Sequence, residues 1–359
     1  MTNIVQHFQT TNETGEIRPL KIGHINDSFI VESKIKGGES YFLQKINHHI
    51  FRNVVGLQDN IRLVTDHLRV KLAAAGESDI ERKVLRLVPT KTGEWFYQDA
   101  EGSYWRMYVN IENTHSYDVI TAELAYKAGE AFGNFQCMLS DISHDQLIET
   151  IPNFHNMEFR LEQFREAVRN NAVGRVTDTQ WMIDEIEKRA YEMCAPERLY
   201  REGKLPKRIN HCDTKVNNLL FDKKDEPICI VDMDTVMPGF VMSDFGDFMR
   251  TAGNTGKEDD IDLNNVSFNM AIFKSYTKGY LESAKAFLTP IEIELLPFGA
   301  RLLTYMQLTR FLADYLNGDT YYKINNPLHN LQRSKAQFKL LVSIEENYPE
   351  MEAFIAATI

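Results

Sequence analysis

Asp213, Asn218 and Asp232 are the residues of this sequence whose types and spacing can do chemistry together. The segment Ile209-Asn210-His211-Cys212-Asp213-Thr214-Lys215-Val216-Asn217-Asn218-Leu219-Leu220-Phe221 leads into the turn Asp222-Lys223-Lys224-Asp225-Glu226-Pro227. A second apolar run, Ile228-Cys229-Ile230-Val231, ends at Asp232-Met233-Asp234. Apolar run, turn, apolar run reads as a β-hairpin, with Asn218 near the start of one strand and roughly opposite Asp232 near the end of the other. Cross-strand neighbours have Cβ atoms about 4.5–5.5 Å apart, close enough for an amide oxygen and a carboxylate to share one cation. Both are hard oxygen ligands, which suits Mg²⁺ arriving with a nucleotide's phosphates. Asp213, in the loop just before the hairpin, can face an acceptor hydroxyl, and Lys215 can supply a cation beside a moving phosphate. Phosphoryl transfer asks for this set: positioning, oxygen ligands for the metal, and neutralisation of developing charge.

The elements that must hold these groups fall into two kinds. Up to about residue 110 the chain is β-rich: Phe29-Ile30-Val31, Tyr41-Phe42-Leu43, Glu94-Trp95-Phe96-Tyr97 and Tyr104-Trp105-Arg106-Met107-Tyr108-Val109 are short aromatic and β-branched runs. Gly37-Gly38 and Gly102-Ser103 sit between them as turns, which predicts an antiparallel meander. One helix interrupts it, with Leu57, Ile61, Val64, Leu68 and Leu72 at helical spacing. Beyond that the pattern is helical: Leu124 to Leu139, Ile151–Val168, Trp181–Met193, Phe268–Phe287 and Ile291–Leu316. The expectation is an α+β protein of two lobes, a β-rich N-lobe over 1–110 covering a nucleotide and a mainly helical C-lobe over 111–359. The hairpin of 208–234 belongs to the C-lobe in this reading, and a cleft at the junction is a natural ligand site.

Composition bounds the alternatives. The chain has 359 residues, 43% hydrophobic and 25% charged, as in a globular protein with a real core. A formal net charge of −11 with no basic stripe argues against a nucleic-acid partner. No apolar run approaches the roughly 18 residues of a membrane span, and the N-terminal residues lack the pattern of a signal peptide. Cys137, Cys194, Cys212 and Cys229 are widely spaced, which suits neither a disulfide framework nor a zinc site. The expected location is the cytoplasm.

His211-x-Asp213-x-Lys215-x-x-Asn218 resembles the catalytic loop of kinase-fold enzymes, and Ile230-Val231-Asp232-x-Asp234 resembles the second motif of the aminoglycoside phosphotransferase superfamily. Within that superfamily, His211–Asn218, Asp232-Met233-Asp234-Thr235-Val236-Met237-Pro238-Gly239 and Arg310-Phe311-Leu312-Ala313-Asp314-Tyr315-Leu316 are similar to the bacterial N-acetylhexosamine 1-kinases. Gly23-His24-Ile25-Asn26 and Tyr41-Phe42-Leu43-Gln44 fit the same group, so the likeness spans nearly the whole chain. It implies a two-lobed protein-kinase-like fold, ATP and Mg²⁺, and transfer to the anomeric hydroxyl of N-acetylglucosamine or N-acetylgalactosamine. Carried over by position, Asp213 is the base; Lys215, two residues further on, is the cation beside the moving phosphate read above from the residues alone. Asn218 and Asp232 hold metal, while His24, Asp234, Arg310 and Tyr321 contact the sugar. Gly23, Gln44, Tyr108 and Ile111 line the nucleotide, with adenine against the segment from Tyr108 to Ile111.

The sequence departs from kinase patterns at the phosphates. Gln44 stands where a strand-3 lysine is usual, Asn60 and Arg62 where its helical glutamate is usual, and Gly23 alone in place of a G-x-G-x-x-G. Asp244-Phe245-Gly246 spells a kinase metal motif, but it lies too far beyond Asp213, and Asp232 already takes the role; a bracing function is expected. Gly253-Asn254-Thr255-Gly256-Lys257 fails as a P-loop because Thr251 replaces its first glycine and Glu258 its Ser/Thr. His211 is expected to pack, and Arg310 has an alternative partner in Asp314 at i,i+4. Two other functions stay open: transfer to an aminoglycoside, choline or another small hydroxyl acceptor, and a non-catalytic nucleotide-binding regulator.

Overall fold

The structure, a computed structural model, describes residues 2–20 and 25–359. Gly23 and His24, expected at the nucleotide and the sugar, lie outside the described residues. The chain divides into two compact units: Met1–Ser116 with Asp145–Pro152 and Leu219–Met237, and Tyr117–His144 with Asn153–Asn218 and Pro238–Ile359.

The first unit is built on an antiparallel sheet of β1 (Thr14–Leu20), β2 (Asp27–Ser33), β3 (Tyr41–Ile46), β4 (Tyr97–Gln98) and β5 (Tyr104–Val109). Its order is β1-β2-β3-β5-β4, so the expected meander is broken after β3. The long connection after β3 carries a helix, and β5 returns to pair with β3 while the two-residue β4 is left at the edge. Gly37 (φ 76°) and Gly102 (φ 82°) turn the chain in left-handed conformations that suit glycine. On one face Val31, Tyr41, Leu43, Trp105 and Met107 form a core with Val5, Phe8 and Val88. Strand alternation turns the intervening residues the other way, and the register aligns Ser28 with Gln44 and Gln44 with Arg106 as one polar row.

Helix α1 (Val54–Ala74) is capped by the Asn53 side chain, which accepts from Gly56 N, and buries the expected Leu57, Ile61, Val64, Leu68 and Leu72 face. Buried Asn60 ties it to two other segments of the unit. Its Nδ2 donates to Ile148 O (2.9 Å) and Val236 O (3.0 Å), and its Oδ1 accepts from Ile148 N (3.1 Å). The predicted hairpin is present as β6 (Leu219–Phe221) and β7 (Pro227–Ile230), with Leu219 paired to Ile230. Asp222 closes its turn by accepting from Lys224 N (2.7 Å) and Glu226 N (3.0 Å).

The second unit is helical: α2 (Ala122–Leu139), α3 (Met157–Asn170), α4 (Val176–Met193), α5 (Val241–Ala252), α6 (Met270–Ala284), α7 (Leu296–Leu316) and α8 (His329–Thr358). The pattern expected to start at Ile151 becomes helical only at Met157, where the Asn156 side chain accepts from Phe159 N. The run Ile291–Leu316 is broken at Leu295, with Pro297 in the first turn of α7, where its missing N–H is harmless. Leu161, Phe164, Met182, Ile186, Leu302, Met306 and Leu312 are among the residues that fill the core between α3, α4 and α7. Among the described residues no helix is long and apolar enough to cross a membrane.

Candidate active site

The loop after the short strand Arg208–Asn210 presents Asp213 through a left-handed residue, Cys212 (φ 61°). A non-glycine residue in that region carries local strain, which surrounding bonds must hold. Asp244, at the start of α5, supplies them: Oδ2 accepts from His211 N (2.8 Å), Oδ1 from Cys212 N (2.8 Å), and its backbone O from Thr214 Oγ1 (2.5 Å). Gln136 Nε2 adds a fourth bond, to Asp244 Oδ2 (2.8 Å). The rest of the Asp-Phe-Gly triplet is packing. Phe245 is fully buried, and a Cβ on Gly246 would overlap the backbone of Gly299 on α7. His211 is buried with its ring edge-on to Phe132 and Phe135. Burial pushes the Asp244 carboxyl up to about 6, against the pull of its hydrogen bonds.

Asp213 is held from two sides within the same loop. Lys215 Nζ lies 2.9 Å from its Oδ1, and Asn218 Nδ2 donates to its Oδ2 (3.0 Å) and its backbone O (2.8 Å). Burial alone would raise this carboxyl; the nearby Lys215 charge and hydrogen bond, with His211 and Asn218, outweigh it and hold Asp213 below the usual range. With its amide nitrogen committed to Asp213, Asn218 keeps its Oδ1 as a hard oxygen donor.

In the first unit, Asp232 follows β7 in a left-handed conformation (φ 62°) and is exposed. Asn218 is the residue before the first hairpin pair and Asp232 the second after it. Each is an oxygen-bearing side chain of the kind a hard cation such as Mg²⁺ takes. Asp234 is buried, with Oδ2 accepting from Asn26 Nδ2 (2.6 Å) and Oδ1 ion-paired to Arg106. Arg106, 1% exposed, donates Nε and Nη2 to Gln44 Oε1 (3.0 and 2.7 Å), and Gln44 Nε2 donates to Ser28 Oγ (3.1 Å). Uncharged Gln44 thus holds an arginine of the neighbouring strand. Burial opposes the Arg106 charge, but Asp234, Tyr108 and Asp232 more than offset it and raise its pKa. No motif singles out Arg106; only the β3–β5 register shows it. The Tyr108 ring lies 5.2 Å from the Arg106 guanidinium carbon, and Ile111 O accepts from Thr114 Oγ1 (2.8 Å).

The remaining residues cluster in the second unit. Arg310 does not pair with Asp314. It donates Nη1 to Gln307 Oε1 (3.1 Å) and lies over the rings of Phe154 (5.4 Å) and Tyr322 (5.7 Å). Asp314 instead accepts from the backbone N–H groups of Thr320 (2.9 Å), Tyr321 (2.8 Å) and Tyr322 (3.0 Å), fixing the loop after α7. That loop presents Tyr321, 59% exposed, with its ring edge-on to Tyr322. His155 and Arg160, like Arg106, carry no sequence motif.

The fold is similar to an aminoglycoside phosphotransferase from Alicyclobacillus acidocaldarius, with a TM-score of 0.61, 12% identity, and coverage of 98% of this chain and 96% of that one. A microcompartment-associated aminopropanol kinase aligns with a TM-score of 0.59 and 14% identity over 98% and 99% of the two chains. A spectinomycin phosphotransferase, solved with ADP and spectinomycin, aligns with a TM-score of 0.58 and 12% identity over 97% of each. These likenesses show the two-lobed kinase-like fold, with an antiparallel sheet in the N-lobe and helices in the C-lobe. The model of the phosphotransferase enzyme family matches residues 16–274, well over half of the sequence and a span that includes the Asp213 loop and the hairpin. The chain therefore belongs to the phosphotransferase enzyme family.

Proposed function

We propose that this enzyme transfers the γ-phosphoryl group of ATP to the anomeric hydroxyl of an N-acetylhexosamine, giving a sugar 1-phosphate. The observation that carries the reading is Asp213: a carboxylate held ionised by Lys215 and Asn218 on a loop braced by Asp244. Such a group accepts a hydrogen bond from an acceptor hydroxyl, orients its oxygen for in-line attack, and takes its proton as the bond to phosphorus forms. Lys215 offsets the charge that develops on the transferring group. Asn218 and Asp232 are the residues assigned to Mg²⁺, which when bound neutralises the phosphate oxygens. The N-lobe, to about residue 110, is assigned the nucleotide through Gly23, Gln44, Tyr108 and Ile111. The sugar is assigned to His24, Asp234, Arg310 and Tyr321, on the resemblance of those positions to the N-acetylhexosamine 1-kinases. Asp234 reaches it only with the lone pairs its bonds to Arg106 and Asn26 leave open. Retention of Asp213, Asn218 and Asp232 together favours a working enzyme over a non-catalytic regulator.

The test is a panel of acceptors, with the product read by phosphorus NMR. N-acetylglucosamine or N-acetylgalactosamine should give an anomeric phosphate, and their 1-O-methyl glycosides should give none. Equal phosphorylation of free sugar and glycoside would remove anomeric transfer; a strong preference for choline or an aminoglycoside would remove the sugar.

A further inference from the structure

Several arginines of the second unit rest on carboxylates: Arg208 on Glu292 (2.6 Å), Arg301 on Glu192 (2.7 Å) and Arg250 on Asp247 (2.9 Å). Arg160 and Arg310 do not, among the described residues, although both are half-buried. Arg160 donates Nε and Nη2 to Phe154 O (3.1 and 2.9 Å) and Nη1 to Gln163 Oε1 (2.9 Å). Arg310 has its bond to Gln307 and the faces of Phe154 and Tyr322, which leaves most of its five N–H donors unused. The two charges feel each other: burial, and then Arg310, bring the Arg160 pKa down to about 10. His155 belongs to the same cluster, its ring stacked on Phe154 and its buried Nδ1 without a hydrogen-bond partner among the described residues. Burial, then Arg310 and Arg160, push its pKa down to about 3, with Asp213 close enough to oppose them. At neutral pH the imidazole is uncharged.

Two half-buried like charges without a counter-ion among the described residues, beside a neutral ring nitrogen likewise without a partner there, are unfavourable unless something supplies negative charge. The cluster lies within electrostatic reach of Asp213, the residue assigned above to the acceptor hydroxyl. Amine-bearing acceptors would be repelled there, whereas an oxyanion would satisfy the guanidinium forks. Building on the sugar 1-kinase reading above, we propose that Arg160, Arg310 and His155 form an oxyanion subsite of the acceptor pocket. The preferred sugar then carries a sulfate substituent besides the hydroxyl that Asp213 orients.

The experiment compares kcat/KM for N-acetylglucosamine, N-acetylgalactosamine, their 3-, 4- and 6-O-sulfates and the free amino sugars, in the wild type, Arg160→Gln and Arg160→Lys. One or more sulfated sugars should exceed its neutral parent by about tenfold or more, the size of one charge-assisted hydrogen bond, and the amino sugars should fall below both. Arg160→Gln should bring the sulfate-to-neutral ratio to within about threefold of unity, and Arg160→Lys should keep part of it. The lysine variant, which preserves charge, separates lost recognition from lost folding. If no sulfated sugar exceeds its parent, or the ratio is the same in Arg160→Gln, the subsite is overturned while the sugar kinase reading stands. Absence of transfer to every sugar, neutral and acidic, overturns both.

Discussion

An aspartate assigned to orient a hydroxyl must be charged near neutral pH and held in one place; for Asp213 the first condition is met by Lys215 and Asn218 of its own loop, the second by Asp244 of α5, which bonds His211 and Cys212. Asp213→Asn keeps the Asn218 neighbour but removes the proton acceptor, so turnover should fall about 10²-fold or more with nucleotide affinity nearly intact. Lys215→Ala leaves the carboxylate but takes away the largest influence holding its pKa down. Asp213 should then ionise at higher pH, and the acid limb of the kcat/KM profile should move upward; an unmoved limb would separate Lys215 from Asp213. Asp232 and Asp244 are distinguished by different readouts. Asp232→Asn should raise the Mg²⁺ concentration needed for half-maximal rate, because an amide gives a hard cation less charge than a carboxylate does. Asp244→Asn should leave that dependence alone and lower stability by about 1–3 kcal/mol, since one backbone N–H of the loop loses its acceptor. Its pH signature follows from the raised pKa of Asp244, about 6. A group whose folded pKa is raised contributes stability fully below its unfolded value, near 4, and loses it as pH rises through the folded one. The stability difference between wild type and Asp244→Asn should therefore be larger at pH 4 than at pH 7, as chemical denaturation at the two pH values would show.

At the scale of elements, the loop depends on how closely α5 approaches α7. A Cβ at Gly246 would overlap the Gly299 carbonyl, and one at Gly299 would overlap that of Met242, so the two glycines set the helix separation. Gly246→Ala should force the helices apart and cost about 1–3 kcal/mol as an overpacking change, read as a lower denaturant midpoint. Because α5 carries Asp244, activity should fall further than the loss of folded protein accounts for. Similar glycines, Gly129 and Gly133 on α2 and Gly279 on α6, bring that pair together. The helical pattern announced α2 and α6 but not their distance, which depends on which residues of the facing helix the glycines meet.

For the whole molecule, binding to the folded state alone stabilises by mass action. A non-hydrolysable ATP analogue with Mg²⁺ at about 100 times its Kd should add about 2.7 kcal/mol, seen as a rise in melting temperature. EDTA should remove most of that rise in the wild type, and Asp232→Asn should show little of it with or without Mg²⁺. Equal shifts in the two proteins would detach Asp232 from the nucleotide complex. What the sequence determined alone was local: the hairpin, from its apolar runs and turn residues; the amphipathic helices, from spacing; and the loop of Asp213, Lys215 and Asn218, whose members are so near in the chain that covalent geometry keeps them together. Tertiary structure decided the partnerships between distant segments. Strand order placed β5 beside β3 and so put Arg106 against Gln44, and chain folding gave Asp314 to the backbone of Thr320 through Tyr322, leaving Arg310 to Phe154 and Tyr322. Periodicity records which face of an element is buried, whereas a long-range partner is set by register and packing, which leave no fixed spacing in the chain.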